Sequence, residues 1–163
     1  INDGRKLQEV GVCMNAIEFL TKDHEAVKTL LATANTNAEM KAAFGQISRI
    51  LETHTYLEER FFYPNFENHE HFGQLIQEAR EQHDLVKQLL EGMQHQNGQE
   101  FEKNFQALRA EVQLHMTSEE GEIFPQAESL IDAATLARLG SEIQAAKTAY
   151  ENVSERPASA SRR

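Results

Sequence analysis

Apolar residues recur at steps of three and four along four successive stretches of this chain, and each stretch carries a histidine within the apolar line itself. The first line is Ile17, Leu20, His24, Val27 and Leu31; the second is Phe44, Ile47, Leu51, His54, Glu58 and Phe61. The third is Ile76, Ala79, His83, Val86, Leu90 and Met93, and the fourth is Phe105, Leu108, Val112, His115 and Glu119. This spacing places the residues of each line on one face of an α-helix. Strand-like alternation is absent, and the chain has only three prolines and eight glycines. The sequence therefore predicts an all-α protein in which four apolar faces meet as a four-helix bundle. Turn and breaker residues fall between the lines, at 34–37, 64–73, 94–98 and 125–132. Leu7, Val10 and Met14 extend the first line backwards across Gly11, and Leu136, Leu139, Ile143, Ala146 and Tyr150 predict a short additional C-terminal helix.

The chain also repeats itself. DHEAVKTLL at 23–31 matches QHDLVKQLL at 82–90, and HTYLEERFFYP at 54–64 matches HMTSEEGEIFP at 115–125. The offsets are 59 and 61 residues, so two related helix pairs are expected about a pseudo-twofold axis. Each half brings one lone His and one His-x-x-x-Glu pair to that axis.

A length of 163 residues with 40% hydrophobic and 26% charged residues suits one bundle domain, assigned to 1–153. The last segment, SERPASASRR at 154–163, has no apolar period and reads as a flexible tail. A net charge of −10 without a Lys/Arg cluster argues against a nucleic-acid partner or an anionic membrane surface. No run of about 18 apolar residues occurs, which argues against a transmembrane helix. Cys13 is the one cysteine and INDGRKLQEV is not a signal peptide, so a cytoplasmic setting is expected. No feature marks a surface for a protein partner.

Six polar residues on core-facing lines demand compensation, because a buried charge without a partner costs several kcal/mol. In His54-x-x-x-Glu58 and His115-x-x-x-Glu119 the two side chains lie one above the other on a helix face, so both reach the bundle axis. His24 and His83 add one imidazole from each remaining helix. Four nitrogens and two carboxylates shared between two metal ions leave open positions for exchangeable ligands. Imidazole with carboxylate suits iron or manganese, whereas structural zinc more often recruits thiolates. Two iron ions are the favoured cofactor. Neither a Glu-x-x-His pair, nor His-Glu-x-x-His, nor a Gly-rich phosphate loop is present.

The order His24, His54-x-x-x-Glu58, His83, His115-x-x-x-Glu119 resembles the hemerythrin-like, or HHE cation-binding, family over about residues 14–150. The resemblance implies an antiparallel up-down four-helix bundle in which Glu58 and Glu119 bridge two non-haem irons. It places His24 and His54 on one iron and His83 and His115 on the other, with an oxo or hydroxo bridge between them. Oxygen-carrying members take a His-x-x-x-His pair from the third helix, where this chain has Ala79 and Lys87 around His83, and their last motif is usually His-x-x-x-x-Asp. The set here is more similar to the di-iron proteins called repair of iron centres, which usually carry a Cys-bearing N-terminal domain, and to relatives associated with nitric oxide or peroxide.

The expected function is binding of oxygen, nitric oxide or peroxide at the irons, with peroxide consumption in a catalase-like cycle. The alternative is an iron-handling, sensing or iron-centre-repair module without turnover of its own. Tyr63 is a candidate additional ligand or hydrogen-bond donor, chosen over Tyr56, and Glu122 a candidate third carboxylate. Phe61, Phe62, Ile123 and Phe124 are expected to wall the site. Glu59 and Glu120 point about 100° away from the bridging residues and suit flanking roles. His69, His71 and His95 are expected in solvated loops, and Lys28 and Lys87 at the surface.

Overall fold

The computed structural model describes residues 14–154 of the chain. Helix α1 spans Ala16–Thr33 and α2 spans Asn37–Leu57. Both open with a capping box, in which a cap side chain and a glutamate three residues on exchange hydrogen bonds with each other's backbone N–H. Glu18 N donates to Asn15 Oδ1 over 3.0 Å while Asn15 N donates to Glu18 Oε2 over 2.9 Å. Thr36 and Glu39 repeat the arrangement. Helices α3 (Phe72–Met93) and α4 (Gly98–Ser118) start without a side-chain cap.

Helical structure does not stop where α2 and α4 reach Glu58 and Glu119. Each runs directly into a five-residue π-helical turn, Glu58–Phe62 and Glu119–Ile123. A proline follows two residues after each turn, at 64 and 125. In an unbroken α-helix its ring would strike the carbonyl four residues back, and the wider turn gives that carbonyl room. A short 3₁₀ turn, Tyr63–Asn65, follows the first π turn, and helix α5, Phe124–Leu130, follows the second. Helicity thus continues through Pro125, where the breaker residues predicted a turn; among 125–132 the chain leaves helix only at 131–132.

The C-terminal helix is longer than the sequence indicated. Helix α6 spans Ala133–Ser154, 22 residues, and packs against both α1 and α2. Asp132 accepts from Thr135 N at its start over 2.7 Å. Gly140 allows the close approach to α1: a Cβ there would lie 2.8 Å from the Asn15 carbonyl carbon and nearer still to the Met14 carbonyl oxygen. Leu136, Leu139 and Ile143 are buried, and Tyr150 stacks on Tyr56 with ring centroids 4.7 Å apart. Leu7, Val10 and the tail from residue 155 onward lie outside the described residues.

Two apolar cores result. One holds Leu20, Leu57, Phe62, Tyr63, Phe66, Phe72, Phe124 and the inner face of α6; the other holds Val27, Leu31, Ile47, Val86, Leu90, Phe105 and Leu108. Because the cores are separate, the polar layer carried by the same helices is enclosed rather than drained to the surface.

Candidate metal centre

The structure brings His24, His54, Glu58, His83, His115 and Glu119 into one layer, each between 0 and 5% exposed. Ligand-type atoms of five of them, all but His83, lie within 4.8 Å of one another. His83 joins through Nε2, which is 3.2 Å from both His115 Nε2 and Glu58 Oε2. The imidazoles fall into two pairs, His24 with His54 at 3.1 Å between Nε2 atoms and His83 with His115 at 3.2 Å. Glu58 spans them, with Oε1 2.9 Å from His54 Nε2 and Oε2 3.2 Å from His83 Nε2. Glu119 Oε2 sits 3.2 Å from His24 Nε2 and 3.2 Å from His115 Nε2.

The outer ring nitrogens decide what the inner ones offer. His24 Nδ1 donates to Glu120 Oε1 and His83 Nδ1 to Glu59 Oε1, both over 2.8 Å; His115 Nδ1 donates to Gln82 Oε1 over 3.2 Å. His54 Nδ1 faces Asp23 Oδ2 at 3.8 Å. For His24, His83 and His115 the outer acceptor holds a proton on Nδ1 and leaves Nε2 facing the layer, whereas His54 Nδ1 and Asp23 Oδ2 lie beyond hydrogen-bond distance. Glu58 Oε1 and Glu119 Oε2 are buried without a hydrogen-bond partner. Lone pairs and orphaned carboxylate oxygens converge on one dry layer, and nitrogens about 3 Å apart match two donors on a single ion held at about 2.0–2.1 Å. The residues present fit a bound metal cation.

The electrostatics keep both carboxylates ionised beside imidazoles that favour the protonated form. Burial opposes ionisation of Glu58 and, together with the charge of Glu119, would raise its pKa, yet the histidines hold it well below the usual carboxylate range. Burial likewise opposes ionisation of Glu119, and His115, His24 and His54 hold it well below that range. Burial disfavours a charged His115, but Glu119 and Glu58 outweigh it and push its pKa up to about 9. Burial first, then the charges of Glu119 and Glu58, keep the Tyr63 phenol protonated far above its ordinary value. Its hydroxyl donates to Glu119 Oε1 over 2.7 Å.

Tyr63 therefore reaches the layer, whereas Tyr56 is exposed and stacks on α6. Glu122 is solvent-exposed and does not enter the layer. The π turn is the reason: its extra residue carries the buried line from Glu119 to Ile123 and Phe124 instead of to position 122. The same shift buries Phe62 and Tyr63 fully and leaves Phe61 half-buried. Phe124 stacks on His24 and Tyr63 on His83, with ring centroids 5.7 Å apart in both cases.

Glu59 and Glu120 cross-brace the halves, each binding the lone His of the opposite helix pair. Lys87 Nζ donates to Glu59 over 2.9 Å and Lys28 Nζ to Glu120 over 2.8 Å, so the repeated lysines are half-exposed ends of these chains. Hydrogen bonding from His83, against burial and helped by Lys87, brings the Glu59 pKa down to about 2. His69, His71 and His95 are exposed, as expected. Sequence reasoning missed Asp23, Gln82 and Lys147, whose Nζ donates to Asp23 Oδ1 over 2.6 Å. The signal was the repeat itself, which aligns Asp23 with Gln82 immediately before the two lone histidines.

No helix among the described residues is long and apolar enough to cross a membrane. No curated protein matches the sequence. A crystal structure of a hemerythrin HHE cation binding domain-containing protein from Mycobacterium kansasii superposes with a TM-score of 0.73 at 22% identity, covering 86% of this chain and 89% of that one. The family model for the hemerythrin HHE cation binding domain matches residues 15–157. An all-helical bundle closing on a His/Glu layer, together with that match over most of the chain, places this protein in the hemerythrin HHE cation-binding family.

Proposed function

We propose that the six side chains hold two iron ions and that the protein binds oxygen, nitric oxide or peroxide there, consuming peroxide when the irons are oxidised. The observation that carries this reading is the division of four inward Nε2 atoms into two close pairs with carboxylate oxygens between them. His24 and His54 would hold one ion, His83 and His115 the other, and Glu58 and Glu119 would bridge. Two irons would supply redox equivalents and exchangeable positions for a small ligand. Around them the chain's own groups do distinct work. The carboxylates balance cationic charge, and the Nδ1 acceptors fix the orientation of His24, His83 and His115. Tyr63 holds a proton at its hydroxyl, within hydrogen-bond reach of Glu119. Phe62, Ile123 and Phe124 are buried and exclude all but small molecules and most water. With two His per iron and no fifth His, both positions stay open, which favours oxidation over reversible oxygen release.

Anaerobic loading with ferrous ion and elemental analysis should give two irons per chain; saturation at one overturns the shared-bridge reading. His54→Ala and His115→Ala should each lower that stoichiometry, while His69→Ala and His95→Ala leave it unchanged. The loaded protein should oxidise quickly in air, stay oxidised when oxygen is removed, and consume peroxide. Recovery of the reduced form without peroxide consumption would make it an oxygen carrier or sensor instead.

A further inference from the structure

The pseudo-twofold repeat is broken at two places that touch the ligands. Behind His54 stands the carboxylate of Asp23, buried and facing Nδ1 at 3.8 Å; behind His115 stands the neutral amide of Gln82, accepting from Nδ1 over 3.2 Å. Phe124, against His24, has no polar atom, whereas its counterpart Tyr63, against His83, places a hydroxyl on Glu119. The other outer partners are matched, since Glu120 with Lys28 serves His24 just as Glu59 with Lys87 serves His83.

The consequence follows from how an imidazole donates. A carboxylate at Nδ1 draws the proton outward and raises electron density at Nε2; an amide carbonyl does so less. The pair His24 and His54 faces two carboxylates, Glu120 hydrogen-bonded to His24 and Asp23 at ion-pair distance from His54 without a hydrogen bond, whereas the pair His83 and His115 is hydrogen-bonded to one carboxylate and one amide. We infer that the two metal positions are inequivalent: the His24/His54 position is the tighter, the His83/His115 position the more labile, and Asp23 and Gln82 are the positioning residues that set the order. This rests on the two-iron reading above. Lys147, bonded to the far oxygen of Asp23, ties the tighter position to α6, an element with no counterpart in the repeat.

Stepwise anaerobic titration of the full chain with iron-57 ferrous ion, followed by Mössbauer spectroscopy at one and two equivalents, tests this. The wild type should load in two steps separated about tenfold or more, with a different quadrupole doublet for each. Asp23→Asn should weaken the first step about tenfold and leave the second unchanged. Gln82→Glu, which alters a half-exposed position and does not depend on the first variant folding, should tighten the second step toward the first. Two irons binding in one indistinguishable step, or Gln82→Glu leaving both steps unmoved, overturns the inequivalence while the di-iron reading stands. Uptake of fewer than two irons by the wild type overturns both.

Discussion

The two halves of the bundle carry the same His and Glu pattern in differently built frames. Helices α1 and α2 each begin with a reciprocal capping box, and α6 lies across them, closing on α1 at Gly140 and on α2 through Tyr150 and Tyr56. Helices α3 and α4 begin without side-chain caps and leave Leu85 and Leu114 exposed, at 41% and 56%. Duplicated chemistry has therefore not required duplicated support. Ligand placement comes from the His-x-x-x-Glu geometry and the π turns, present in both halves, while local helix stability and outer packing are concentrated in the first. In the second half α3 and α4 pack chiefly on each other, and the cross-braces from Glu59 and Glu120 tie them to the first half.

Metal removal should expose this difference most. Without ions, the paired imidazoles and carboxylates of the buried layer lose the cations that would bind them, costing on the order of 5 kcal/mol and lowering the unfolding midpoint by roughly 10–20 °C. Hydrogen exchange on the chelated protein should then show α3 and α4 opening before α1 and α2; simultaneous loss of protection would mean that the halves form one cooperative unit. Gly140→Ala is the next largest test, because the added Cβ would meet the backbone of Met14 and Asn15. Displacing α6 should cost about 1–2 kcal/mol in denaturant unfolding even after the gain in helix propensity. A neutral or stabilising result would show a slack α1–α6 contact. The smallest test compares helix starts. Thr36→Ala removes a cap oxygen and should cost about 1 kcal/mol, whereas His71→Ala at the start of α3 removes no cap bond and should stay within about 0.5 kcal/mol. Equal costs would erase the distinction between the frames.

The four apolar lines and the six polar residues on them were legible because helical periodicity marks a core face whatever the residue type. The misplaced faces have their cause at the π turns. Reading at 3.6 residues per turn carries the faces past the glutamates to Phe61 and Glu122, but each helix widens there into a π turn, so Phe61 is only half-buried and Glu122 exposed, while the other expected wall residues Phe62, Ile123 and Phe124 are buried. The spacing of four in His54, Glu58, Phe62 and Phe66 was the available sign. The full length of α6 was hidden because its apolar line, Leu136, Leu139, Ile143, Ala146 and Tyr150, is sparse; Gly140 and Lys147 do as much to seat it, through a close backbone approach and an ion pair that periodicity does not register.

The enclosure of the ligand layer sets a clock. With no ligand more than 5% exposed, an ion cannot arrive or leave while the helices are closed. Residence time is then governed by how often the bundle breathes, not by the strength of the coordination bonds alone. Glu59 and Glu120, each about one-third exposed in its side chain, are the outermost carboxylates on the way in, and each is held shut by a lysine. Dissolved salt screens those two latches and shortens the wait. A bound cation should therefore exchange at the pace of the bundle's own opening, faster in brine than in dilute buffer.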